Sequence, residues 1–296
     1  MSADGLTVAL QDGILVLTLA RPPVNALTPD LRLAVLTALR ERDDGCRGVV
    51  LAAEGPAFSN GVMFDTAAGE PTLAELCLAV AECPVPVVAA LHGAVSGPGA
   101  ELALAARARL AAATLRIAFP EVLLGLCPEG GSTQRLPGLI GARAALKLLL
   151  TGRPIPASEA LSLGLIDGVT ETAPLGAAIR LARALAGGEP LVRARPDAAE
   201  WQVAVATMRR DPSTRLPASQ RIVDCVEAAL LLPPENGLAF EAVARRDLAE
   251  TPEAAGLQAA ARAERRALTM PTVLARLRPP SIDRIGLSGG GPELAR

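Results

Sequence analysis

Two glutamates, Glu101 and Glu121, are the residues of this sequence best suited to acid–base chemistry. They lie 20 residues apart, in the mostly apolar stretches AELALAA and IAFPEVLLGL. Removing a carboxylate from water disfavours its charged form and raises its pKa toward the range in which general acid–base catalysts work. The pattern therefore indicates two carboxyl groups that can exchange protons with a substrate. A solvated surface position is the alternative for each, and it fits Glu121, inside an apolar run, less well.

Two glycine-rich segments, EGPAFSNG (54–61) and HGAVSGPG (92–99), each follow a short apolar run. Where a strand enters a glycine turn and then a helix, free backbone N–H groups point at the turn and the helix dipole adds partial positive charge. Two such turns at neighbouring strand ends can hold one carbonyl oxygen between two N–H donors, stabilising an enolate or a tetrahedral oxyanion. Taken alone, the glycines are equally explained by tight turns that packing requires.

The only histidine, His92, limits the other kinds of catalysis. A Ser-His-Asp or Cys-His mechanism would have to use it, and Ser96, the serine close to it in the chain, does not stand in a G-x-S-x-G motif. We therefore predict that His92 ends a buried strand with its ring hydrogen-bonded locally. The five cysteines are widely spaced and form no C-x-x-C pair, which predicts buried free thiols in a reducing compartment and no metal site.

The composition indicates a folded chain with a sizeable core. Of 296 residues, 50% are hydrophobic and 20% are charged, and the mean hydropathy is +0.35, which excludes a largely disordered chain. The net charge of −2, without a basic block, argues against a nucleic-acid partner. No uncharged apolar run reaches the roughly 18 residues of a membrane span, and the N-terminus has no basic targeting region. We expect a cytoplasmic protein with no membrane partner.

The first two thirds of the chain alternate between strand and helix patterns. Short apolar runs predict strands at 6–10, 14–20, 49–53, 86–91 and 109–113. Apolar residues at helical spacing predict helices from Pro29 to the charged residues 41–44, near 71–82 and at about 100–106. Asp12-Gly13 favours a hairpin turn between the first two strands, and the order strand, helix, strand implies a parallel pair at 49–53 and 86–91. Both glycine-rich segments then lie at strand C-terminal ends, where α/β proteins place ligands.

The last third of the chain is predicted to be helical. Helices separated by Pro, Gly or Asn are expected at 175–186, 198–209, 219–232, 237–249 and 253–268. The sequence thus predicts an α/β core over residues 1–190 and a helical region over 191–270. Residues 271–296, which contain Pro-Pro and Gly-Gly-Gly, are expected to form a loosely held tail.

A long ordered run carries a family resemblance: HGAVSGPGAELALAA, IAFPEVLLGLCPEGGSTQRLPGLIGARAALKLLLTGRPIPASEALSLGLIDGV, within 92–170. It strongly resembles the crotonase superfamily, above all enoyl-CoA hydratases and the hydratase half of bifunctional fatty-acid oxidation enzymes. ILVLTLARPPVNAL, GVVLAAEGPAFSNG and GLAFEAVARRDLAETPEAAGLQAAARAERRAL agree, so the resemblance covers about residues 6–270. It implies an α/β fold, a spiral of ββα units with a helical C-terminal region, that assembles as a homo-trimer or hexamer.

The resemblance also implies an acyl-CoA site, with the thioester oxygen held by two backbone N–H groups. Val62, after Ser59-Asn60-Gly61, matches the first donor, and Asn60 matches the position whose backbone carbonyl contacts the adenine. Glu101 and Glu121 match the two glutamates that position and activate water for addition across the double bond of a 2-enoyl-CoA. Acyl-CoA is then the substrate, and no metal or redox cofactor is expected.

The expected second donor departs from the family pattern. It is the middle glycine of a Gly-Gly-Gly turn in the family, whereas this sequence has Gly97-Pro98-Gly99, and proline has no N–H. Proline is tolerated at the first position of a helix, so the fold can survive. A donor worth about 2.7–4 kcal/mol in comparable sites is lost unless Gly97 or Gly99 replaces it. Val62-Met63 also replaces the usual Ala-Asp and makes that wall more apolar.

Glu129 is the third departure. The family's common Pro-Gly-Ala-Gly-Gly loop is here Pro-Glu-Gly-Gly-Ser (128–132), and Glu129 matches the catalytic acid–base of one group of Δ3,Δ2-enoyl-CoA isomerases. A structural explanation is equally open, namely capping or dipole pairing at a helix N-terminus ahead of the turn at 131–136.

Three functions follow from these residues. We expect an enoyl-CoA hydratase, a hydro-lyase of fatty-acid metabolism and β-oxidation, that works through Glu101 and Glu121. The first alternative is a Δ3,Δ2-enoyl-CoA isomerase, in which Glu129 or Glu121 alone moves a proton between C2 and C4. The second, motivated by Pro98, is a degenerate homologue that binds acyl-CoA or a partner protein with little activity.

Overall fold

The computed structural model describes residues 2–3, 5–60, 69–192, 197–211 and 214–268. The strands among them are Ser2–Ala3 (β1), Leu6–Gln11 (β2), Ile14–Leu19 (β3), Gly48–Ala53 (β4), Ala57–Asn60 (β5), Val87–Leu91 (β6), Ala94–Ser96 (β7), Ala108–Ala112 (β8), Arg116–Ala118 (β9), Ile155–Pro156 (β10) and Gly168–Thr170 (β11). The α-helices are Pro29–Arg40 (α1), Leu73–Ala81 (α2), Pro98–Ala105 (α3), Ser132–Ile140 (α4), Ala142–Thr151 (α5), Ala157–Ser162 (α6), Leu175–Ala186 (α7), Ala198–Arg210 (α8), Pro217–Leu231 (α9), Pro234–Ala249 (α10) and Pro252–Leu268 (α11). A short 3-10 helix covers Pro120–Leu124.

A seven-stranded sheet has the order β1-β2-β3-β4-β6-β8-β11. Strands β2 and β3 are antiparallel, and Asp12 and Gly13 between them both have positive φ, which confirms the predicted hairpin. From β3 onward the neighbouring strands are parallel. The parallel pairing of β4 with β6 confirms the pair expected at 49–53 and 86–91.

A second sheet, of order β10-β9-β7-β5, is made of strands of two to four residues. The sequence did not predict it, because runs this short show no periodicity to read. Strands β5 and β7 lie within segments 54–61 and 92–99, which were expected to be loops. The sequences β4-β5-α2 and β6-β7-α3 are ββα units, and the described chain is the expected α/β spiral with a helical C-terminal region.

Apolar side chains cover both faces of the larger sheet, because alternate residues of each strand point to opposite sides. On one face, residues from four strands pack against Ala178 and Ala182 of α7. These are Ile14, Val16, Val50, Ala52, Val88, Ala90 and Ala108. The opposite face belongs to the main core, which includes the apolar stripe of α1 and confirms that helix as amphipathic.

Prolines account for most of the difference between expected and observed helix starts. Helices α3, α9 and α10 begin at Pro98, Pro217 and Pro234, two or three residues before the expected positions. Proline fits the first turn of a helix because its missing N–H would have no intrahelical acceptor there. The other helices expected after residue 170 are present at nearly the predicted bounds. Trp201 of α8 donates Nε1 to the carbonyl of Val226 in α9 at 3.0 Å.

The chain divides into two units, residues 1–258 and 259–296, and the second is described only as the helical residues 259–268. The boundaries expected at 190 and 270 stay a prediction, and the tail expected at 271–296 lies outside the described residues. No helix of the described residues is long and apolar enough to cross a membrane.

Asn25 joins the segment before α1 to β5. Its buried side chain donates Nδ2 to the carbonyl oxygens of Glu54 and Ala57, both at 2.8 Å. Its Oδ1 accepts from the backbone N–H of Arg21 at 2.8 Å, and the hydroxyl of Ser59 donates to its carbonyl oxygen at 2.9 Å. Because φ at Asn25 is +48°, a residue that tolerates the left-handed region is needed here.

We expect Asn25→Ala to lower the free energy of unfolding by about 2–4 kcal/mol, because the buried carbonyl of Ala57 and the partly buried carbonyl of Glu54 lose their donor. Urea unfolding followed by circular dichroism measures the change. Asn236→Ala, at an exposed position of α10, is the control and should alter the free energy by less than about 0.5 kcal/mol. A loss below about 1 kcal/mol for Asn25→Ala would contradict this role.

Candidate active site

Glu101 lies in the first half of α3 and is 1% exposed. Its carboxylate accepts hydrogen bonds from three backbone amides of the segment that precedes and opens α4. Oε1 accepts from the N–H of Glu129 at 3.2 Å, and Oε2 accepts from those of Gly130 and Ser132 at 2.7 and 3.4 Å. These donors fix the side chain and stabilise its charged form, which burial alone would disfavour.

Glu121 is equally buried, at 1% exposure, but its environment is different. It lies in the 3-10 helix after β9. Neither of its carboxylate oxygens has a hydrogen-bond partner among the described residues. Burial raises the pKa of Glu121 to about 7, with the charge of Glu129 adding to the rise and Arg245 opposing it. Glu121 can therefore gain or lose a proton near neutral pH.

The two glutamates influence each other's protonation. Burial raises the pKa of Glu101 well above its usual value, and the negative charge of Glu121 is the next largest cause. Ionising two carboxylates in the same buried region is energetically unfavourable, so the pair titrates as a unit that retains a proton. Such a pair contains an acid and a base at the same pH.

Glu129 belongs to the same segment but differs from the other two. Its side chain is 27% exposed, and Oε2 forms an ion pair with Nε of Arg245 at 3.6 Å. Arg245 also donates Nη1 to the carbonyl of Cys127 at 2.8 Å, which ties α10 to this segment. Glu129 does not cap α4, whose N-cap is Gly131 and carries no side-chain cap. Glu129 is therefore paired with a cation of α10 and is not buried as the other two glutamates are.

Gly97-Pro98-Gly99 leads from β7 into α3. The N–H of Gly97 donates to the carbonyl of Ala118 at 3.2 Å, and Pro98, at the first helical position, has none. The next N–H belongs to Gly99, in the first turn, where no intrahelical acceptor exists. A Cβ on Gly99 would lie 2.3 Å from the carbonyl oxygen of Ser59. Only glycine allows the start of α3 to approach β5 this closely.

The first glycine-rich segment is described as far as Asn60. Ser59 is buried, whereas Asn60 is exposed and lies opposite Ser96 in the parallel pairing of β5 with β7. The site residues Gly61 and Val62 lie outside the described residues, as does the neighbouring Met63. The described part therefore brings Ser59 to the start of α3, in line with the sequence prediction for these two segments.

Sequence reasoning missed Glu241 of α10, which is 1% exposed. Its Oε1 accepts from the N–H of Gly131 at 2.6 Å, and its Oε2 accepts from the N–H of Thr133 at 2.9 Å and from the Thr133 hydroxyl. The signal was present, since Glu241 shares the buried stripe of α10 with Gly237, Ala244 and Leu248. A carboxylate within an apolar helical stripe requires buried donors.

Two further residues near the carboxylates were not singled out from the sequence. Ser132 has a buried hydroxyl without a hydrogen-bond partner among the described residues. Arg135 donates Nη1 to the carbonyl of Gly130, and so contacts the turn that holds Glu101.

His92 and the cysteines agree with their predicted structural roles. His92 follows β6, and its Nε2 hydrogen-bonds with the carbonyl of Gly55 at 3.0 Å, which confirms a locally bonded ring. All five cysteines are free; four are buried, and Cys83 is half-buried because it follows the exposed end of α2. In the part of the chain that is described, no group of three or more His, Cys, Asp or Glu side chains could hold a metal ion.

Comparison with protein families and curated proteins gives consistent results. A family model described as Enoyl-CoA hydratase/isomerase matches residues 9–209. The chain is 36% identical over 259 residues to a peroxisomal bifunctional enzyme of Danio rerio, covering 83% of this chain and 36% of that protein. It is 33% identical over 280 residues to a fatty acid oxidation complex subunit alpha of Shewanella loihica, covering 84% and 39%. The chain thus spans less than two fifths of the length of these relatives.

Solved structures with the same fold match almost over their full length. An enoyl-CoA hydratase/isomerase from Pseudoalteromonas atlantica superposes with a TM-score of 0.67 at 27% identity, covering 88% of this chain and 98% of that one. An enoyl-CoA hydratase from Mycobacterium avium subsp. paratuberculosis gives a TM-score of 0.65 at 25% identity, covering 88% and 97%.

The raised pKa of Glu121 makes stability depend on pH. The folded state binds this proton more tightly than the unfolded chain, whose glutamate has a pKa of about 4.3, so stability is lost as pH rises toward 7. Glu121→Gln removes this loss. We subtract the wild-type free energy of unfolding from that of Glu121→Gln at each pH. This difference should become more positive by about 2–3 kcal/mol from pH 5 to pH 8.

Urea unfolding at both pH values measures this difference, which is independent of the cost of burying the new amide. Glu235→Gln, exposed in the first turn of α10, serves as the control for removal of a carboxylate. Wild-type and Glu121→Gln stabilities that change in parallel with pH would show that Glu121 does not retain its proton.

Proposed function

This chain belongs to the enoyl-CoA hydratase/isomerase family, and we propose that within it the protein is an enoyl-CoA hydratase. The observation that carries the proposal is the contrast between two buried glutamates. Glu101 is held by three backbone amides, whereas Glu121 has no hydrogen-bond partner among the described residues. Hydration needs one group to accept a proton from water and another to supply a proton to carbon, and this pair offers both.

In the proposed reaction, Glu101 orients water and takes one of its protons while the oxygen bonds to C3 of the 2-enoyl-CoA. The π electrons of the double bond move toward the thioester, and negative charge develops on the thioester oxygen. Glu121 then delivers its proton to C2, which completes the addition of one water molecule. The proton gained by Glu101 and the one lost by Glu121 balance, so exchange with solvent restores the starting state.

The charge on the thioester oxygen requires N–H donors. We propose the N–H of Val62 as the first donor, on the sequence resemblance alone. Pro98 cannot be the second, and the N–H of Gly97 is engaged by Ala118. Gly99, whose N–H has no intrahelical acceptor, is the remaining candidate of the three turn residues.

The rest of the assignment is also a proposal. Acyl-CoA is the substrate, and no cofactor is required because the glutamates supply the acid and the base. Ser59, Asn60 and Gly61 contribute to its binding site. The names of the bifunctional and fatty acid oxidation relatives support a place in fatty-acid β-oxidation. A homo-trimer or hexamer without a nucleic-acid partner is proposed, as is a cytoplasmic location, for which the bacterial relative is the support.

A Δ3,Δ2-enoyl-CoA isomerase is the second candidate, because Glu121 alone, with a pKa of about 7, could move a proton between C2 and C4. Glu129 is a weaker candidate for that role. It is partly exposed, and its carboxylate is already paired with Arg245.

Crotonyl-CoA hydration separates these functions. We expect Glu101→Gln and Glu121→Gln each to lower kcat/KM by about 10²-fold or more, since each removes an acid–base group. Glu129→Gln, the matched control on the same segment, should lower it by less than about 10-fold, since its carboxylate is partly exposed and paired with Arg245. Loss of the enoyl thioester absorbance measures the rate. Isomerisation of a 3-enoyl-CoA that survives Glu101→Gln but is lost in Glu121→Gln or in Glu129→Gln would instead identify an isomerase.

Pro98→Gly tests whether a missing donor limits the rate. The glycine supplies an N–H where the family has one. We expect kcat for crotonyl-CoA to rise, by up to about 10²-fold, where the wild type lacks this donor, and to stay unchanged and high where Gly99 already supplies it. Calorimetry with CoA shows whether binding changes alongside. An unchanged, very low rate with measurable CoA binding would favour the third candidate, a degenerate homologue that binds acyl-CoA with little turnover.

A further inference from the structure

We propose that Glu241 is a positioning residue for the reaction. Its carboxyl group holds the turn of residues 129–133, and the backbone amides of this turn hold Glu101. The inference rests on the proposed hydratase function and deepens it, by assigning a role to a residue of α10 that does not touch the reacting atoms. It depends on three observations, namely the alternation of amide donors along the turn, the packing on its other sides and the close approach of α10.

Successive amides of the turn point to two different carboxylates. The N–H groups of Glu129, Gly130 and Ser132 donate to Glu101. Those of Gly131 and Thr133 donate to Glu241, at 2.6 and 2.9 Å, and the Thr133 hydroxyl donates as well. The turn is therefore held between two buried carboxyl groups, and removing the acceptors on one side leaves the amides on the other side free to move.

Packing on the other sides of the turn limits the positions that its backbone can adopt. A Cβ on Gly130 would lie 3.0 Å from the Cys77 sulfur and 3.0 Å from Cβ of Glu101. Arg135 donates to the carbonyl of Gly130. The turn thus fits closely against α2 and α3, and a displacement of its amides would carry Glu101 with them.

The close packing of α10 against α4 supports the same role. Gly237, one helical turn before Glu241, approaches α4 so closely that a Cβ would lie 2.1 Å from Oε1 of Gln134. Gln134 donates Nε2 to the Thr133 hydroxyl oxygen at 2.8 Å and to the carbonyl of Cys225 at 2.9 Å. Helix α10 is therefore fixed against the start of α4, so the backbone that carries Glu241 is held in place relative to the turn.

A glutamine cannot substitute for Glu241. A carboxylate offers two acceptor oxygens to the three donors, whereas a carboxamide offers one oxygen and an NH₂ group that faces N–H donors. Glu241→Gln preserves size and leaves at least one buried donor unpaired. The expected response is a shift of the turn and of Glu101, rather than loss of a group that contacts the substrate.

Steady-state hydration of crotonyl-CoA tests the proposal in two backgrounds. Glu241→Gln should lower kcat by about 10²-fold with KM within about 3-fold, because small misplacements of a catalytic group cost this much. In the Glu101→Gln background the same change should lower kcat by less than about 3-fold, because the group it positions is already lost. Equal losses in both backgrounds, a rise in KM alone or an unchanged kcat would overturn the proposal.

Controls separate positioning from general damage. Glu235→Gln, on the same helix but exposed, should leave kcat unchanged. Thr133→Ser keeps the hydroxyl that donates to Glu241 and should retain activity, whereas Thr133→Val should lower kcat about 10-fold. If Glu241→Gln does not fold, the Thr133 pair decides the question, and equal activity of Thr133→Ser and Thr133→Val would count against the role.

A second cycle distinguishes failure of this inference from failure of the proposed function. If the wild type converts neither crotonyl-CoA nor a 3-enoyl-CoA, the proposed function is wrong. The interaction of Glu241 with the turn can still be measured. The effects of Glu101→Gln and Glu241→Gln on the free energy of urea unfolding should then be non-additive, because both carboxylates hold the same turn. Additive effects would overturn the positioning role whatever the activity.

Discussion

Burial of negative charge is the constraint on which the rest of the site depends. Glu101, Glu121 and Glu241 are each about 1% exposed, and a carboxylate removed from water must accept hydrogen bonds or keep its proton. Glu101 and Glu241 accept hydrogen bonds from the amides of the turn that leads into α4. Glu121 has no such donors among the described residues, and its pKa is raised to about 7. The same physical requirement therefore yields two carboxyl groups held by backbone amides and one group ready to exchange a proton.

The fold supplies these groups from distant parts of the chain. The ββα units bring Glu101, on α3, and Glu121, after β9, to one region, because consecutive units add parallel strands to both sheets. Glu241 arrives from α10, 110 residues after the Gly131 amide that it accepts from. The helical C-terminal region is consequently more than a cover for the core. It supplies one of the two carboxyl groups between which the turn is held.

The sequence predicted elements that are long or have clear boundary signals. The Asp12-Gly13 hairpin, α1 and the helices after residue 170 follow directly from turn residues and helical periodicity. Glu101 and Glu121 were identifiable because apolar neighbours surround them in the chain. The short strands β5 and β7 carry no periodicity, so the second sheet was not predictable. Glu241 was missed because the amides that it accepts from are more than 100 residues away in the chain, although residues 238–244 around it are otherwise apolar.

Reaction of crotonyl-CoA in D₂O, analysed by mass spectrometry and NMR, tests the central claim most directly, because it reports where the protein places a proton. The account predicts 3-hydroxybutanoyl-CoA with one deuterium bound at C2, derived from the exchangeable proton of Glu121, and no such product from Glu121→Gln. Deuterium entering at C4 without addition of water would contradict hydration and indicate proton transfer between carbons. Unchanged crotonyl-CoA would show that the buried pair does not perform this chemistry.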